Sequence, residues 1–245
     1  MTILCIESST SVCSAAICKD GKPVSQCICR EGSNHARLLP RYIEQLLAEA
    51  KQEGLTIEAV ALSEGPGSYT GLRIGTSTAK GLCYGLNVPL IPVPTLAVLC
   101  QAAKEQIINH KFETIHGILM PMIDARRKEV YTAVYNGREA RGERQEARAV
   151  VVECEESLLS PKDGLSSLNE AVYFFGDGAA KCQAVLSSPN WHYLPGIVPE
   201  AQYMGVLAEQ ITNHQSPITH QQLAYYEPYY LKEFIAAPSH VKGLA

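Results

Sequence analysis

The sequence predicts an α/β protein built as two similar subdomains that face each other across a cleft, and three observations predict it. The order strand, strand, strand, helix, strand, helix runs from residue 3 to about residue 102, and a similar order begins again near residue 118. Both runs end their first strand on a carboxylate, Glu7 in one and Asp124 in the other. Finally, 245 residues that are 46% hydrophobic and 19% charged suffice for one large domain or two small ones, without disulfides or metal to complete the core. The expected division is 1–102 and 103–245, with the C-terminal tail packing back on the N-terminal half.

The elements follow from local pattern. Ile3 to Ile6, Cys13 to Cys18 and Val24 to Cys29 read as strands, with Asp20-Gly21 as a hairpin turn between the last two. Leu38, Leu39, Tyr42, Ile43, Leu46, Leu47 and Ala50 recur at helical spacing, with Pro40 in an early turn. A strand Ala59 to Ser63 leads to a helix from about Thr70 to Leu86, then to a strand Pro89 to Val93 and a helix from Thr95. In the second half come strands Ile118 to Asp124, Glu129 to Tyr135, Ala147 to Val152 and Ala171 to Phe175, an Asn136-Gly137 turn, and a helix Ala179 to Leu186. Pro199 suits the first turn of a last helix, Glu200 to Thr212.

Residues 64–81 read EGPGSYTGLRIGTSTAKG, and the helix they open carries Gly71, Gly75, Gly81 and Gly85. Each glycine in a helix interior costs about 1 kcal/mol relative to alanine, so something must come close to this backbone. The stretch fails three ligand templates. No lysine stands at P-loop spacing, the dinucleotide-like reading Gly65-x-Gly67-x-x-x-Gly71 is one residue too long, and the GxSxG of a nucleophile elbow is absent. Gly71, Gly75 and Ala79 fall four apart and make a groove of small side chains beside Leu72, Ile74, Leu82 and Leu86. Such a groove suits close helix packing, either inside this chain or with a partner.

Charge and cysteine content narrow the classes. A net charge of −4 makes the chain as a whole no trap for nucleic acid or an anionic membrane. The start MTILCIESST has no signal-peptide pattern, no apolar run reaches membrane-spanning length, and the cytoplasm is the expected compartment. Nine cysteines at scattered positions, with no CxxC pair, read as reduced thiols used as small hydrophobes rather than as a metal site.

Glu7-Ser8-Ser9-Thr10 after the first strand, the glycine run at 65–75, Ala79-Lys80-Gly81, DARRKEVY at 124–131, Gly176-Asp177-Gly178 and the PYYLK that starts at Pro228 closely resemble the TsaB (YeaZ) family, over essentially the whole chain. That resemblance implies the duplicated ribonuclease-H-like fold of actin, hexokinase and Hsp70. It also implies a noncatalytic subunit of the machinery that makes threonylcarbamoyladenosine next to the anticodon of tRNA, paralogous to the catalytic subunit TsaD. The implied partners are a TsaD-like subunit, a TsaE-like ATPase and, indirectly, tRNA, with a homodimer when TsaD is absent and no membrane. In TsaD-like proteins an HxxxH pair holds the catalytic metal; here Thr95 and Leu99 occupy the matching positions, so neither metal nor other cofactor is expected. Family members pair through the two N-terminal helices, which assigns partner binding to Leu38, Leu39, Tyr42, Leu46, Gly71, Leu72, Gly75, Ala79 and Leu82.

Three further groups stand out. Glu7, Ser8, Ser9 and Thr10 occupy the place of the fold's first phosphate loop and read as a remnant nucleotide loop. Asp124, Arg126 and Arg127 could touch tRNA phosphate or a partner, or pair with nearby carboxylates. Arg138, Arg141, Arg144 and Arg148 alternate with Glu139, Glu143 and Glu146 and read as a solvated face. The alternative to a docking subunit is a stand-alone enzyme of the same fold, a phosphotransferase or a metallopeptidase.

Overall fold

The structure, a computed structural model, describes residues 1–30, 32, 34–109, 117–137, 149–153 and 170–232. β1 (Thr2–Glu7) is buried at all six positions, as suits a strand covered on both faces. β2 (Cys13–Lys19) pairs antiparallel with it, and β3 (Lys22–Cys29) pairs antiparallel with β2. The hairpin closes on Asp20 at φ 50° and Gly21 at φ 73°, the pair of left-handed residues that a two-residue turn of matching twist requires. α1 (His35–Gln52) returns the chain to the sheet, and β4 (Ala59–Gly65) and β5 (Leu90–Pro94) add to it in parallel on either side of α2 (Tyr69–Leu86). The first sheet therefore has the order β3-β2-β1-β4-β5.

After α3 (Thr95–Asn109) the same order is built again. β6 (Ile118–Asp124) pairs antiparallel with β7 (Glu129–Thr132), β7 with β9 (Val150–Glu153), and β6 in parallel with β10 (Val172–Phe175), which pairs in parallel with β11 (Trp191–Leu194). Read as β9-β7-β6-β10-β11, the second sheet repeats the first strand for strand, with β8 (Tyr135–Asn136) as an extra pair on β6. α4 (Ala179–Cys182) takes the place of α2, α5 (Met204–His214) follows a short 3-10 turn Ala201–Tyr203, and α6 (His220–Leu223) ends the regular structure.

The period-two alternation of β1 sorts the core. Leu4 and Ile6 face Leu39, Ile43 and Leu46 of α1 and Ala79 and Cys83 of α2. Ile3 and Cys5 face the other way, into a central layer where Leu96 and Leu99 of α3, Met204 and Ala208 of α5, and Leu119 and Phe175 of the second sheet meet. Met120, Met122 and Phe174 pack under α4. The layers run α1 and α2, first sheet, α3 and α5, second sheet, α4. Among the described residues seven cysteines are free thiols; Cys182 is disulfide-bonded, which departs from the expectation of thiols throughout.

Several elements differ from the sequence reading. β7 stops at Thr132 rather than running to Tyr135, because the next ladder positions would face Met120 and Pro121 of β6 and Pro121 has no N–H to give. α4 is one turn long instead of reaching Leu186. The chain tightens into i→i+3 bonds, Gln183 N to Ala180 O and Val185 N to Cys182 O, and Pro189 then helps steer it into β11. β11 and α6 were not expected, and the helix read from Glu200 starts as α-helix only at Met204.

Candidate functional site

The loop after β1 and the start of α2 form one buried junction. The Ser8 hydroxyl donates to the Gly71 carbonyl at 2.9 Å, and the Ser68 amide donates to the Ser9 carbonyl at 2.6 Å. A Cβ on Gly67 would stand 2.3 Å from Ser9 O, one on Gly71 2.0 Å from Ser8 O, and one on Gly75 2.2 Å from Ser8 Oγ. These glycines serve neither a phosphate nor a partner helix: their own chain approaches them. The expectation that Gly71, Gly75 and Ala79 line a docking groove is therefore corrected, since that stripe faces β4 and the Ser8–Ser9 loop. Leu39, Leu46 and Leu72, also assigned to docking, are core residues at 0%, 0% and 1% exposure.

The remnant loop is equally closed. Glu7, Ser8 and Ser9 are fully buried and Thr10 nearly so. One Glu7 oxygen accepts from the amide and the hydroxyl of Ser9, at 2.6 and 2.5 Å, while Oε2 has no hydrogen-bond partner among the described residues. Burial pushes the Glu7 carboxyl up to about 7, against the opposing pull of the Ser9 hydroxyl and amide. At the positions matching the metal pair, the Thr95 hydroxyl accepts from the Gly65 amide at 3.2 Å, and Leu99 is fully buried in the central layer. Both side chains are taken up by the fold.

What faces outward on the first half is the other side of α1 and α2. Leu38 and Tyr42 are half-buried and line a shallow groove with Arg41, Glu44, Gln45 and Ala48. On α2, Ile74, Thr78, Gly81 and Gly85 follow one another at spacings of three and four along one stripe, and Leu82, four residues on from Thr78, lies in it as well. Nothing lies within 4 Å of a Cβ built on Gly81 or Gly85, and Tyr84 beside them is 79% exposed. Of the residues expected to dock a partner, Leu38, Tyr42 and Leu82 retain surface; Ile74, Gly81 and Gly85 were missed as a group. Helical arithmetic could have found them. Gly75 and Gly81 are six residues apart, and at about 100° per residue that rotates the second glycine pair well away from the first.

In the second half, Gly176 and Gly178 repeat the Gly65-x-Gly67 device. A Cβ on Gly176 would stand 2.2 Å from Met122 O, and one on Gly178 2.8 Å from the carbonyl carbon of Ile123. The loop they support turns at Arg126 and Arg127, both left-handed at φ 66° and 54°, with Asp124 Oδ1 accepting from the Arg126 amide at 2.7 Å. Asp124 is held by Lys181 at 2.5 Å, and Glu129 is paired with Lys232. Asp124 thus anchors the turn from an exposed position, its side chain 50% open to solvent, and the side chains of Arg126 and Arg127 are exposed as well. The alternating Arg138 to Arg148 stretch lies outside the described residues.

The tail links the two halves. The Tyr229 amide donates to Glu64 O at 2.7 Å, the rings of Tyr69 and Tyr230 lie 4.9 Å apart, and Lys232 Nζ donates to Ala125 O at 3.2 Å. It passes over the carboxyl ends of β4 and β6, the mouth at which open sheets of this kind take ligands. Arg73 stands over the Tyr69 ring at 4.3 Å and fastens the same corner.

Two sheets of identical order, each with an antiparallel hairpin edge and two parallel crossovers, define a duplicated ribonuclease-H-like protein of the actin, hexokinase and Hsp70 class, here with its first loop sealed into its own helix. Residues 31–239 match the family model described as TsaD, tRNA N6-adenosine threonylcarbamoyltransferase. The chain is 29% identical to the tRNA threonylcarbamoyladenosine biosynthesis protein TsaB of Haemophilus influenzae over 95% of its own length and 94% of the relative's. It is 34% identical to the Escherichia coli TsaB over 55% of each chain. YeaZ from Pseudomonas aeruginosa superposes with a TM-score of 0.72 at 25% identity, over 94% of this chain and 99% of that one. The chain belongs to the TsaD family as that model defines it, in its TsaB (YeaZ) branch.

Proposed function

We propose that this protein acts in the biosynthesis of threonylcarbamoyladenosine in tRNA as a noncatalytic subunit that docks a TsaD-like catalytic subunit through the outer faces of α1 and α2. The role in tRNA modification rests on the named relatives. The docking reading rests on one observation, the Gly81 and Gly85 pair, one helical turn apart with open space where their side chains would be. Inside a helix the pair costs roughly 2 kcal/mol relative to alanine, and nothing in the described residues approaches it in return. A partner helix seated on Ile74, Thr78, Gly81, Leu82 and Gly85, with Leu38 and Tyr42 at its flank, would supply that approach. Pairing with TsaD, a TsaE-like ATPase joining the assembly, self-pairing of the chain when TsaD is absent, and a cytoplasmic site of action all belong to this reading. Among the described residues no helix is long and apolar enough to cross a membrane.

The phosphotransferase alternative gains no support from the first loop, whose serine oxygens are already hydrogen-bonded to Glu7, Gly71 and Ser68. The metallopeptidase alternative gains none from Thr95 and Leu99. The test is Gly81→Leu together with Gly85→Leu. The doubly substituted chain should melt no lower than wild type and should fail to co-elute with TsaD of the same cell. Undiminished co-elution would remove the docking face from α2.

A further inference from the structure

We propose that the exposed turn Arg126-Arg127-Lys128 is a contact for the phosphate backbone of tRNA. The proposal rests on the tRNA-modification reading but not on the docking face. Charge is sorted at this turn. The two carboxylates that flank it in sequence point to lysines behind it: Asp124 Oδ1 lies 2.5 Å from Lys181 Nζ, and Glu129 is paired with Lys232. Lys181 also donates to the Glu129 carbonyl at 2.5 Å and Lys232 to the Ala125 carbonyl at 3.2 Å, so both half-buried lysines brace the turn. Asp177 is occupied as well, its Oδ1 accepting from the Asp124 amide at 3.0 Å. Five cations thus stand against four carboxylates at this end of the second sheet, the fourth being Glu153 opposite Glu129 on β9, and Arg126, Arg127 and Lys128, outside the two lysine pairs, face solvent at consecutive positions. The chain as a whole carries −4, so this is a local reversal of sign.

Backbone conformation gives a second, independent indication. Arg126 and Arg127 are both left-handed, a conformation that glycine enters freely and a branching side chain resists. The fold alone would be served as well or better by glycine at both places, and this chain uses glycine freely elsewhere for just such turns, as at Gly21, Gly54 and Gly196. Arginine here is therefore held for its side chain. Guanidinium groups suit the two-pronged geometry of a phosphate, and contacts to phosphate position a nucleic acid without reading its sequence.

The experiment measures binding of the full chain alone to a labelled, unmodified tRNA transcript across a salt series that starts near 50 mM, where phosphate contacts are strongest. Arg126→Gly with Arg127→Gly should fold at least as stably as wild type, weaken tRNA binding about tenfold, and lower the steepness of log K against log salt by about 2. Arg126→Gln with Arg127→Gln, which keeps two side chains on the strained backbone, should weaken binding equally. Lys51→Ala, at the exposed end of α1, should change neither quantity. Three results would overturn the proposal: a wild-type chain that does not bind tRNA at low salt, unchanged affinity and slope in both arginine variants, or arginine variants that bind tRNA normally but no longer co-elute with TsaD. The last would assign the turn to a carboxylate-bearing protein surface. A wild-type chain that binds tRNA but never pairs with TsaD would sink the docking reading and leave this one standing.

Discussion

The Ser8 hydroxyl donates to the Gly71 carbonyl at 2.9 Å, which fastens the loop after the first strand to the helix that carries the glycines. The loop and the helix are consequently one packing unit, and the glycines of α2 divide into two kinds with opposite sensitivities.

At Gly71 an added Cβ would meet backbone, Ser8 O at 2.0 Å, which cannot move without breaking the junction. Gly71→Ala should destabilise the chain by about 3 kcal/mol, at the upper end of overpacking costs. At Gly75 the obstacle is the Ser8 hydroxyl at 2.2 Å and Leu62 Cδ1 at 3.1 Å, which can give a little, so Gly75→Ala should cost nearer 1 kcal/mol. Gly81→Ala meets nothing and should stabilise by about 1 kcal/mol. Urea denaturation of the three variants gives the ranking; a Gly71 variant as stable as wild type would contradict the junction.

Glu7 predicts an unusual pH dependence. Its carboxyl is pushed up to about 7 by burial, whereas the unfolded chain should titrate near 4.5. The folded protein therefore holds a proton that the unfolded chain has released between those values. Its contribution is fully present below pH 4.5 and is lost as pH rises through 7. The loss amounts to roughly 3 kcal/mol above pH 8. Glu7→Gln should remove that slope and be more stable than wild type at pH 8. A variant that melts lower than wild type at pH 8 would mean that the ionised carboxylate is favourable where it sits.

Glu200 is buried and accepts from Arg30 at 2.7 Å, Gln26 at 3.2 Å and Gln202 at 2.8 Å, so it ties the turn before α5 to β3. Arg30 itself is largely exposed. Arg30→Ala should cost within about 1 kcal/mol, because Gln26, Gln202 and water still serve the carboxylate. Glu200→Ala should cost about 2 to 3 kcal/mol, since it removes all the hydrogen bonds of a buried charged group at once. Thermal melts of the two single variants and the double variant give the coupling.

Thr95→Val should leave the Gly65 amide without its 3.2 Å acceptor in a buried place and cost about 1 to 3 kcal/mol. Thr95→Ser should restore most of the loss. If Ser and Val behave alike in denaturation, the hydroxyl does not hold the β4 end.

Much of the fold was legible because its signals are local. The apolar runs of β1 and β6 and the Asp20-Gly21 turn carry their conformation in a few residues. What failed depended on a partner elsewhere in the chain. β7 is cut short by a proline on another strand, and Trp191–Leu194 becomes a strand only because Val172–Phe175 lies beside it. α6 had a readable signal in its Thr219-x-x-Gln222 capping box. The site was half legible. That the glycines needed a close neighbour was correct, but four-residue spacing does not say which side of the helix the neighbour is on. Two stripes of four-residue spacing sit on one helix, and the inner one had been read as the outer.

α5 has a consequence for how this protein is born. It lies in the central layer against β1, β3 and β5, and Gly205 packs so tightly on β2 that a Cβ would stand 2.6 Å from Cys18 Cβ. All five strands of the first sheet have been synthesised by residue 94, yet the helix that covers part of their inner face begins at Met204. At 5 to 20 residues per second the nascent chain therefore carries a half-covered apolar sheet for roughly five to twenty seconds. The outer face, under α1 and α2, lacks only its last pieces in that interval, the Ile218 bridge to Leu90 and the Leu223 side chain of α6. The side proposed to meet another subunit is thus largely covered while the rest is still being synthesised, and the inner face is where a chaperone would have to bind.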